Sequence, residues 1–261
     1  MFQASVLASG SKGNCTMIRT ENTKILVDAG LSGKKIWNAL ESIGANKDKI
    51  SAVIISHDHS DHVKGAGIVC RKLQIPLYIS RLTYESCLHK LGKLPAGLNH
   101  FQVGKPLQIG DIHIETIPSK HDAIDGCNFV FTSENYPGRK LTLATDLGES
   151  SRYLMVKMVD STSIILESNH DVDMLMMGPY PPPLKQRVKG KQGHLSNEQA
   201  VELMEQIIHP KLDNLILAHL SEENNRPDLA GKTMKNFLSQ KNHQAKLQVA
   251  SQTVPTEIIN I

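Results

Sequence analysis

The feature that most constrains this chain is a cluster of titratable side chains directly behind a short apolar run. Residues 54–64 read IISHDHSDHVK, so three histidines and two aspartates fall within six consecutive positions. Side chains packed this closely would repel one another or titrate unless they shared a partner. Imidazole and carboxylate are common ligands of zinc, iron and manganese. The cluster therefore favours a metal site over the alternative, a solvated polar loop.

Composition narrows the class of protein. The 261 residues are 40% hydrophobic and 21% charged, which is typical of a globular protein with a substantial core. The formal charge of +3 is compatible with a polyanionic substrate but is not evidence for one. The four cysteines form no CxxC pair, which argues against a thiolate zinc site or a disulfide scaffold. Without a signal-peptide pattern or a membrane-spanning run, we expect a cytoplasmic protein with no membrane partner.

Short apolar runs rich in β-branched residues recur along the chain and predict strands. The predicted strands are 5–8, 24–27, 52–55, 77–79, 112–117, 128–131, 141–144, 163–166, 215–218 and 247–249. Helical spacing appears at 34–43, at 197–208 with Ser196 as the N-cap, and at 228–238. No linker rich in glycine, serine or proline separates these elements. We therefore predict one α/β domain over residues 1–261, with sheet-on-sheet packing covered by helices.

Residues 178–194, GPYPPPLKQRVKGKQGH, form the most irregular stretch of the sequence. The prolines stiffen its first half, which predicts an extended surface loop. Basic residues at alternate positions would then lie on one side of the chain. These residues are Lys185, Arg187, Lys189 and Lys191. Whether the loop contacts phosphates or only connects other elements stays open at this point.

Three further ligand-type residues each follow a predicted strand. His121 comes after 112–117, Asp146 after 141–144 and His219 after 215–218. Any one of them alone is more often a residue of a capped turn. Because all three would project from the same edge as the 57–62 loop, together they favour a site for two ions that share one substrate.

The motif H-x-H-x-D-H, followed in order by a lone histidine, a strand-end aspartate and a final histidine, resembles the metallo-β-lactamase superfamily over nearly the whole chain. The resemblance implies a four-layer α/β/β/α sandwich that holds two divalent ions, zinc or manganese, with iron also possible. The implied ligands of one ion are His57, His59 and His121, those of the other are Asp61, His62 and His219, and Asp146 bridges the two. Asp28 matches an early strand-end aspartate that orients the ligand loop by hydrogen bonds.

Members of this superfamily hydrolyse β-lactams, thioesters, lactones and phosphodiesters, so the fold does not choose the substrate. The sequence PSKHD around His121 differs from the TPGHT of glyoxalase-II-like thioesterases. The segment between Asp146 and His219 is too short for the inserted cap of the β-CASP nucleases. Glu167 and the GHLS at 193–196 are similar to ribonuclease Z, in which a glutamate-supported histidine assists the leaving oxygen. By this resemblance Glu167 orients His194; a purely structural His194 is the alternative.

Four segments resemble the YycJ/WalJ group of this superfamily, which is associated with 5′-to-3′ exonuclease activity on DNA. They are ASGSKGN at 8–14, DAGLS at 28–32, GHLSN at 193–197 and AHLSEENN at 218–225. The glycine-containing turn at 9–14 could present backbone N–H groups to a phosphate. A plain connection between strands is the more common role of such a turn.

The resulting hypothesis is a dinuclear hydrolase of phosphodiester bonds, a 5′-to-3′ DNA exonuclease, with DNA as its nucleic-acid partner. In this hypothesis Asp61 orients the attacking water, and His194 with Glu167 assists the departing oxygen. Candidate substrate contacts are Ser196, Lys185, Arg187, Lys189 and Lys191. The alternatives are a phosphodiesterase for a small cyclic or activated diester, an RNA-processing nuclease and a non-catalytic regulatory protein. The oligomeric state stays open.

Overall fold

The computed structural model describes residues 1–261 and contains two seven-stranded sheets. In spatial order the first sheet consists of β14 (Ile259–Asn260), β1 (Gln3–Ala8), β2 (Cys15–Arg19), β3 (Lys24–Val27), β4 (Ala52–Ile54), β5 (Leu77–Ser80) and β6 (Leu98–Phe101). The second consists of β13 (Lys246–Val249), β12 (Asn214–Ala218), β11 (Ser163–Glu167), β10 (Lys140–Ala144), β9 (Cys127–Thr132), β8 (Ile112–Pro118) and β7 (Pro106–Ile109).

Helices follow the strands along the chain. They are α1 (Gly33–Ser42), α2 (Ser60–Val63), α3 (Ala66–Leu73), α4 (Arg81–Leu91), α5 (Arg152–Met158), α6 (Val172–Met177), α7 (Pro182–Val188), α8 (Asn197–Ile207) and α9 (Pro227–Gln240), with one 3₁₀ turn at Lys47–Lys49. No helix combines the length and the apolar character that crossing a membrane would require.

Three apolar cores arrange these elements in four layers. The central core joins the inner faces of the two sheets, with Val27 and Ile54 from one and Phe129 and Ile216 from the other. A second core lies between the first sheet and α1, α3 and α4, and a third lies between the second sheet and α5, α8 and α9. Strands buried on both faces explain why their sequences are continuously apolar. The predicted α/β/β/α sandwich is confirmed.

The parallel parts of both sheets align their strand ends. In the first sheet β3 and β4 run parallel, with Val27 opposite Ile54. In the second sheet β10, β11 and β12 run parallel, and Ala144, Leu166 and Leu217 lie side by side. Because these strands pair without a shift in register, the residues that follow them emerge together at one edge of each sheet.

All ten predicted strands are present, with ends that differ by at most two residues, and the predicted helices correspond to α1, α8 and α9. The sequence analysis missed β2, β6, β7 and β14 and the helices α2 to α7. Most of these elements are short and carry charged or polar residues on an exposed face, which weakens their hydrophobic pattern.

The prediction of an extended chain at 178–194 is wrong, because Pro182–Val188 forms α7. Proline at the first position of a helix fixes φ near the helical value and gives up an N–H that would have no partner there. The run of prolines therefore starts a helix instead of stiffening a loop. Residues two apart on a helix point in different directions, so Lys185 and Arg187 do not lie on one side of an extended strand.

Ser196 begins α8 with a capping box, and its removal tests that role. Its hydroxyl accepts from the Gln199 N–H at 3.2 Å, while the Gln199 side chain accepts from the Ser196 N–H at 2.9 Å. We predict that Ser196→Ala lowers the free energy of unfolding by about 1 kcal/mol in urea titrations. Ser239→Ala, at an exposed position of α9, is the matched control and should change it by less than about 0.5 kcal/mol. Equal stabilities for the two variants would contradict a capping role.

Candidate metal centre

The candidate ligands converge because they follow strands of both sheets. From the first sheet, His57 and His59 follow β4, and α2 carries Asp61 and His62. From the second sheet, the contributing residues follow β8, β10 and β12, and these are His121, Asp146 and His219 respectively. The loop from one sheet therefore faces three separate strand ends of the other.

Three of the strand-end residues at this site adopt a left-handed backbone. Asp28, Asp146 and His219 have φ values of 60°, 56° and 56°. Side chains other than glycine rarely adopt this conformation, although aspartate and histidine tolerate it better than most. Such residues concentrate at functional sites, where the surrounding structure holds them. Each turns the chain sharply as it leaves its strand.

His57, His59 and His121 form the first group, with potential ligand atoms within 4.8 Å of one another. His59 Nε2 lies 3.3 Å from the carbonyl oxygen of Asp122, and His121 Nδ1 lies 3.0 Å from that of Gly193. Because a carbonyl can only accept, these ring nitrogens carry the protons. The unprotonated nitrogens, His59 Nδ1 and His121 Nε2, then face each other at 3.3 Å.

His57 completes this group with a free nitrogen. Its Nδ1 contacts the Ser56 hydroxyl at 2.9 Å, and its buried Nε2 has no hydrogen-bond partner. Burial, followed by the nearby His62 and His59, lowers the pKa of His57 well below its ordinary value. The ring is therefore neutral and offers a lone pair toward the group.

Asp61, His62 and His219 form the second group. His62 Nδ1 lies 2.8 Å from a carboxylate oxygen of Asp28, and His219 Nδ1 lies 3.1 Å from one of Glu167. These contacts turn both Nε2 atoms toward Asp61 Oδ2, at 3.3 Å for His62 and 3.5 Å for His219.

Asp146 lies between the two groups. Its Oδ2 is 3.4 Å from His62 Nε2, and its Oδ1 is 3.2 Å from His219 Nε2 and 3.8 Å from His121 Nε2. The carboxylate is buried, and Oδ2 has no hydrogen-bond partner. Asp146 is thus within reach of ligands from both groups.

The buried carboxylates of the two ligand groups need positive charge beside them. Burial alone would lower the pKa of His62, but the carboxylates of Asp146, Asp28 and Asp61 raise it well above its ordinary value. Burial would also lower the pKa of His219, but the carboxylates of Asp146, Asp61 and Glu167 raise it well above its ordinary value. A metal cation between these atoms would satisfy the carboxylates and the free imidazole lone pairs together. The donor set therefore fits a metal ion.

Glu167 is fully buried and holds the surrounding backbone. Both of its oxygens accept from peptide N–H groups at 3.1 to 3.2 Å, those of Asp146, Leu147 and Leu195. Burial would raise the pKa of this carboxyl, but His194 and His219 beside it hold the pKa well below its usual range. Because both oxygens are already engaged, Glu167 is suited to orient other groups and not to bind an ion itself.

His194 is oriented by this carboxylate, with Nδ1 2.8 Å from Glu167 Oε1. Its ring lies 4.9 Å from the ring of His121 and 5.1 Å from that of His219, measured between centroids. The contact with Glu167 places the proton on Nδ1 and leaves Nε2 free for another partner.

A cavity of about 210 Å³ opens over the two groups. The candidate ligands that line it are His59, Asp61, His121, Asp146 and His219, and His194 lines it as well. Tyr180 and Arg187 come from the 178–194 segment, which forms one wall. A larger cavity of about 390 Å³, beside Leu31 and Val254, contains none of these ligands.

The other predicted substrate contacts lie outside this cavity. Lys185 Nζ donates to the carbonyl oxygen of Met176 at 2.7 Å, and Lys189 Nζ lies 3.9 Å from the sulfur of the same residue. Lys191 is exposed on the following turn. Ser196 is buried in its capping box.

Several residues that line or contact the site were not predicted from the sequence. Asp122 forms an ion pair with Arg187, Tyr180 lines the cavity, and the Asn14 side chain lies 3.1 Å from Asp61 Oδ2. Only Asn14 carried a signal, because it ends the ASGSKGN segment. Asp122 and Tyr180 gain their positions from contacts between distant parts of the chain.

Comparison with known proteins assigns the family. Residues 8–152 match the model of the metallo-beta-lactamase superfamily. The chain is 38% identical over 238 residues to exodeoxyribonuclease YycJ of Bacillus anthracis, which covers 91% of this chain and 89% of that protein. It is 38% identical over 242 residues to exodeoxyribonuclease WalJ of Streptococcus pneumoniae serotype 2, strain D39, which covers 92% of this chain and 89% of that protein.

A solved structure agrees at the level of the fold. The metallo-beta-lactamase fold protein YhfI from Bacillus subtilis superposes with a TM-score of 0.71 at 15% identity, and the match covers 98% of each chain. Identity this low shows the fold alone. The family model and the two relatives, together with this fold, show that the chain belongs to the metallo-beta-lactamase superfamily.

Proposed function

We propose that this protein is a metal-dependent exonuclease that degrades DNA in the 5′-to-3′ direction. The observation that carries the proposal is the convergence of two buried ligand groups on Asp146 beneath one cavity. Two relatives that match about nine tenths of the chain are named exodeoxyribonucleases, which supports DNA as the substrate. Residues 1–261 would act as one domain, since the central core joins both sheets.

The site would hold two divalent ions. His57, His59 and His121 would bind one ion, Asp61, His62 and His219 the other, and Asp146 both. Zinc and manganese suit these imidazole and carboxylate ligands, and iron is also compatible. When bound, the ions would supply positive charge to the phosphate oxygens and lower the pKa of the attacking water.

Other steps would depend on side chains of the protein, which would orient the attacking water, assist the departing oxygen and orient a ligand. Asp61 is partly exposed to the cavity, so its carboxylate can accept a hydrogen bond from the attacking water and orient it. His194, held by Glu167 through Nδ1, would use Nε2 to contact a phosphoryl oxygen or to protonate the departing oxygen. Asp28 would keep His62 in the tautomer that a ligand needs.

Substrate contacts would extend from the cavity along the 178–194 segment. Arg187 lines the cavity and stays charged at any physiological pH, which suits it to a phosphate near the scissile bond. Tyr180 offers an aromatic face on which a base could stack. Lys185, Lys189 and Lys191 lie farther out and would contact more distant backbone phosphates, whereas Ser196 would serve only as a helix cap.

A substrate panel tests the proposed activity. Purified protein loaded with zinc or manganese would be assayed on 5′-phosphorylated duplex DNA, single-stranded RNA, a chromogenic phosphodiester, a thioester and a β-lactam. We expect DNA to be shortened from its 5′ end, as followed with DNA labelled at one end or the other. Preference for RNA or for the small diester would favour the corresponding alternative, and absence of any turnover would favour a regulatory protein.

Two histidine variants should separate metal binding from assistance to the leaving group. His59→Ala removes a proposed ligand of one ion, so we expect loss of that ion by elemental analysis and loss of turnover. His194→Ala should keep its metal, because Glu167 and not an ion holds this ring, but it should slow hydrolysis by about 10²- to 10⁴-fold. Equal metal loss in both variants would contradict this division of roles.

Neutralising Lys185, Lys189 and Lys191, which we call the outer wall, tests the interaction with nucleic acid. We expect the triple variant Lys185→Gln, Lys189→Gln and Lys191→Gln to bind long DNA more weakly. The slope of log K against log salt should become shallower by about 0.9 for each phosphate that the variant no longer neutralises. Turnover of a small diester should be unchanged, because these lysines do not line the cavity.

The control for this variant removes three exposed lysines elsewhere, Lys49, Lys105 and Lys235. These lysines make no side-chain hydrogen bond, and the control lowers the net charge by the same amount. If both triple variants weaken DNA binding equally, the effect is one of overall charge and the proposed role of the outer wall is wrong.

A further inference from the structure

The turn between β1 and β2, residues 9–14, lies against the ligand loop. A Cβ added at Gly13 would lie 2.7 Å from the Leu31 side chain and 3.0 Å from the Gly30 carbonyl oxygen. Gly30 in turn leaves room for the loop itself, because a Cβ there would lie 1.5 Å from the Asp61 carbonyl oxygen. The glycines therefore allow three backbone segments to approach directly at the metal centre.

Asn14, at the end of this turn, is buried and contacts two proposed ligands. Its backbone N–H donates to the Asp61 carbonyl oxygen at 2.7 Å. Its side-chain Nδ2 lies 3.1 Å from Asp61 Oδ2 and 3.0 Å from His62 Nε2. One amide hydrogen serves the Gly10 carbonyl oxygen at 3.2 Å, and the other donates to Asp61 Oδ2, which leaves the lone pair of His62 Nε2 for an ion.

Ser9 extends the same line of hydrogen bonds to the second sheet. Its hydroxyl donates to Asn14 Oδ1 at 3.1 Å and accepts from the backbone N–H of His219 at 2.8 Å. Ser9 and Asn14 are 4% and 7% exposed, so water does not compete effectively for these bonds. Through this pair, His219 of one sheet is tied to Asp61 of the other.

We propose that the Ser9–Asn14 pair is a positioning device that sets the metal affinity of the second group, Asp61, His62 and His219. The proposal rests on metal binding by that group, which is part of the proposed function. Asn14 holds the Asp61 carboxylate by a hydrogen bond, and Ser9 holds the backbone N–H of His219. Neither residue is hydrogen-bonded to a side chain of the first group, so we expect the affinity of that group to be independent of the pair.

Metal titration of the apoprotein tests this proposal without an activity assay. Zinc binding would be measured in competition with a chromophoric chelator, and the fold of each variant would be checked by circular dichroism. To isolate the second group, Asn14→Ala and Ser9→Ala would each be placed in the His59→Ala background. We expect the remaining ion to bind about 10- to 100-fold more weakly than in His59→Ala alone.

Two controls test whether the loss of metal affinity arises at the second group. In the His219→Ala background, in which the second group is already disabled, we expect Asn14→Ala to leave the affinity of the remaining ion unchanged. Ser5→Ala removes another buried serine hydroxyl. This hydroxyl lies away from the site and donates to the Thr256 carbonyl oxygen at a distance of 2.9 Å. It should lower the stability of the apoprotein without changing metal affinity.

Three results would overturn the proposal. The first is an unchanged affinity for Asn14→Ala and Ser9→Ala in the His59→Ala background. The second is an equal loss of affinity in both histidine backgrounds, and the third is the same loss in Ser5→Ala. A wild-type protein that binds no zinc or manganese would instead contradict the proposed function and remove the basis of this inference.

Discussion

The site depends on positive charge at the centre of a buried cluster of carboxylates and imidazoles. Two carboxylates, Asp61 and Asp146, face the Nε2 atoms of His62 and His219 at 3.2 to 3.5 Å in a largely buried space. Buried carboxylates need positive charge beside them, which is why the pKa values of both histidines are raised, and a metal ion would supply that charge in place of the imidazole protons. Hydrogen bonds to Asp28 and Glu167 hold the rings of His62 and His219 in these positions.

Each sheet supplies one buried carboxylate that fixes a ligand histidine. Asp28, after β3, accepts from His62 Nδ1 and from the Ser56 backbone. Glu167, at the end of β11, contacts His219 Nδ1 and accepts from the backbone after β10. In both cases a single acid sets the tautomer of a histidine and anchors the adjoining loop, so ligand chemistry and loop geometry are determined together.

The sequence predicted those parts of the molecule that have a local signature. The runs at 24–27 and 215–218 are short, apolar and bounded by turn residues, and both became strands with the expected bounds within one residue. His219, behind the second run, was found from its position after a predicted strand, whereas Asp28, behind the first, was found by resemblance to the superfamily. The Pro182–Val188 helix was missed because proline favours both extended chain and the first turn of a helix, and only packing decides between them. Asn14 and Asp122 depend on contacts across the fold, which no local pattern encodes.

The wall of the cavity and the first ligand group behave as one unit because three contacts join them. The Asp122 N–H donates to the Gln192 carbonyl oxygen at 3.0 Å, His121 contacts the Gly193 carbonyl oxygen, and Arg187 pairs with Asp122. A Cβ at Gly193 would lie 2.1 Å from the Val188 carbonyl oxygen, so this turn closes tightly only with glycine. The turn that follows α7, the helix that carries Arg187, thus also fixes the tautomer of His121. A displacement of this wall would therefore disturb the first ligand group as well as the contacts of Arg187 with the substrate.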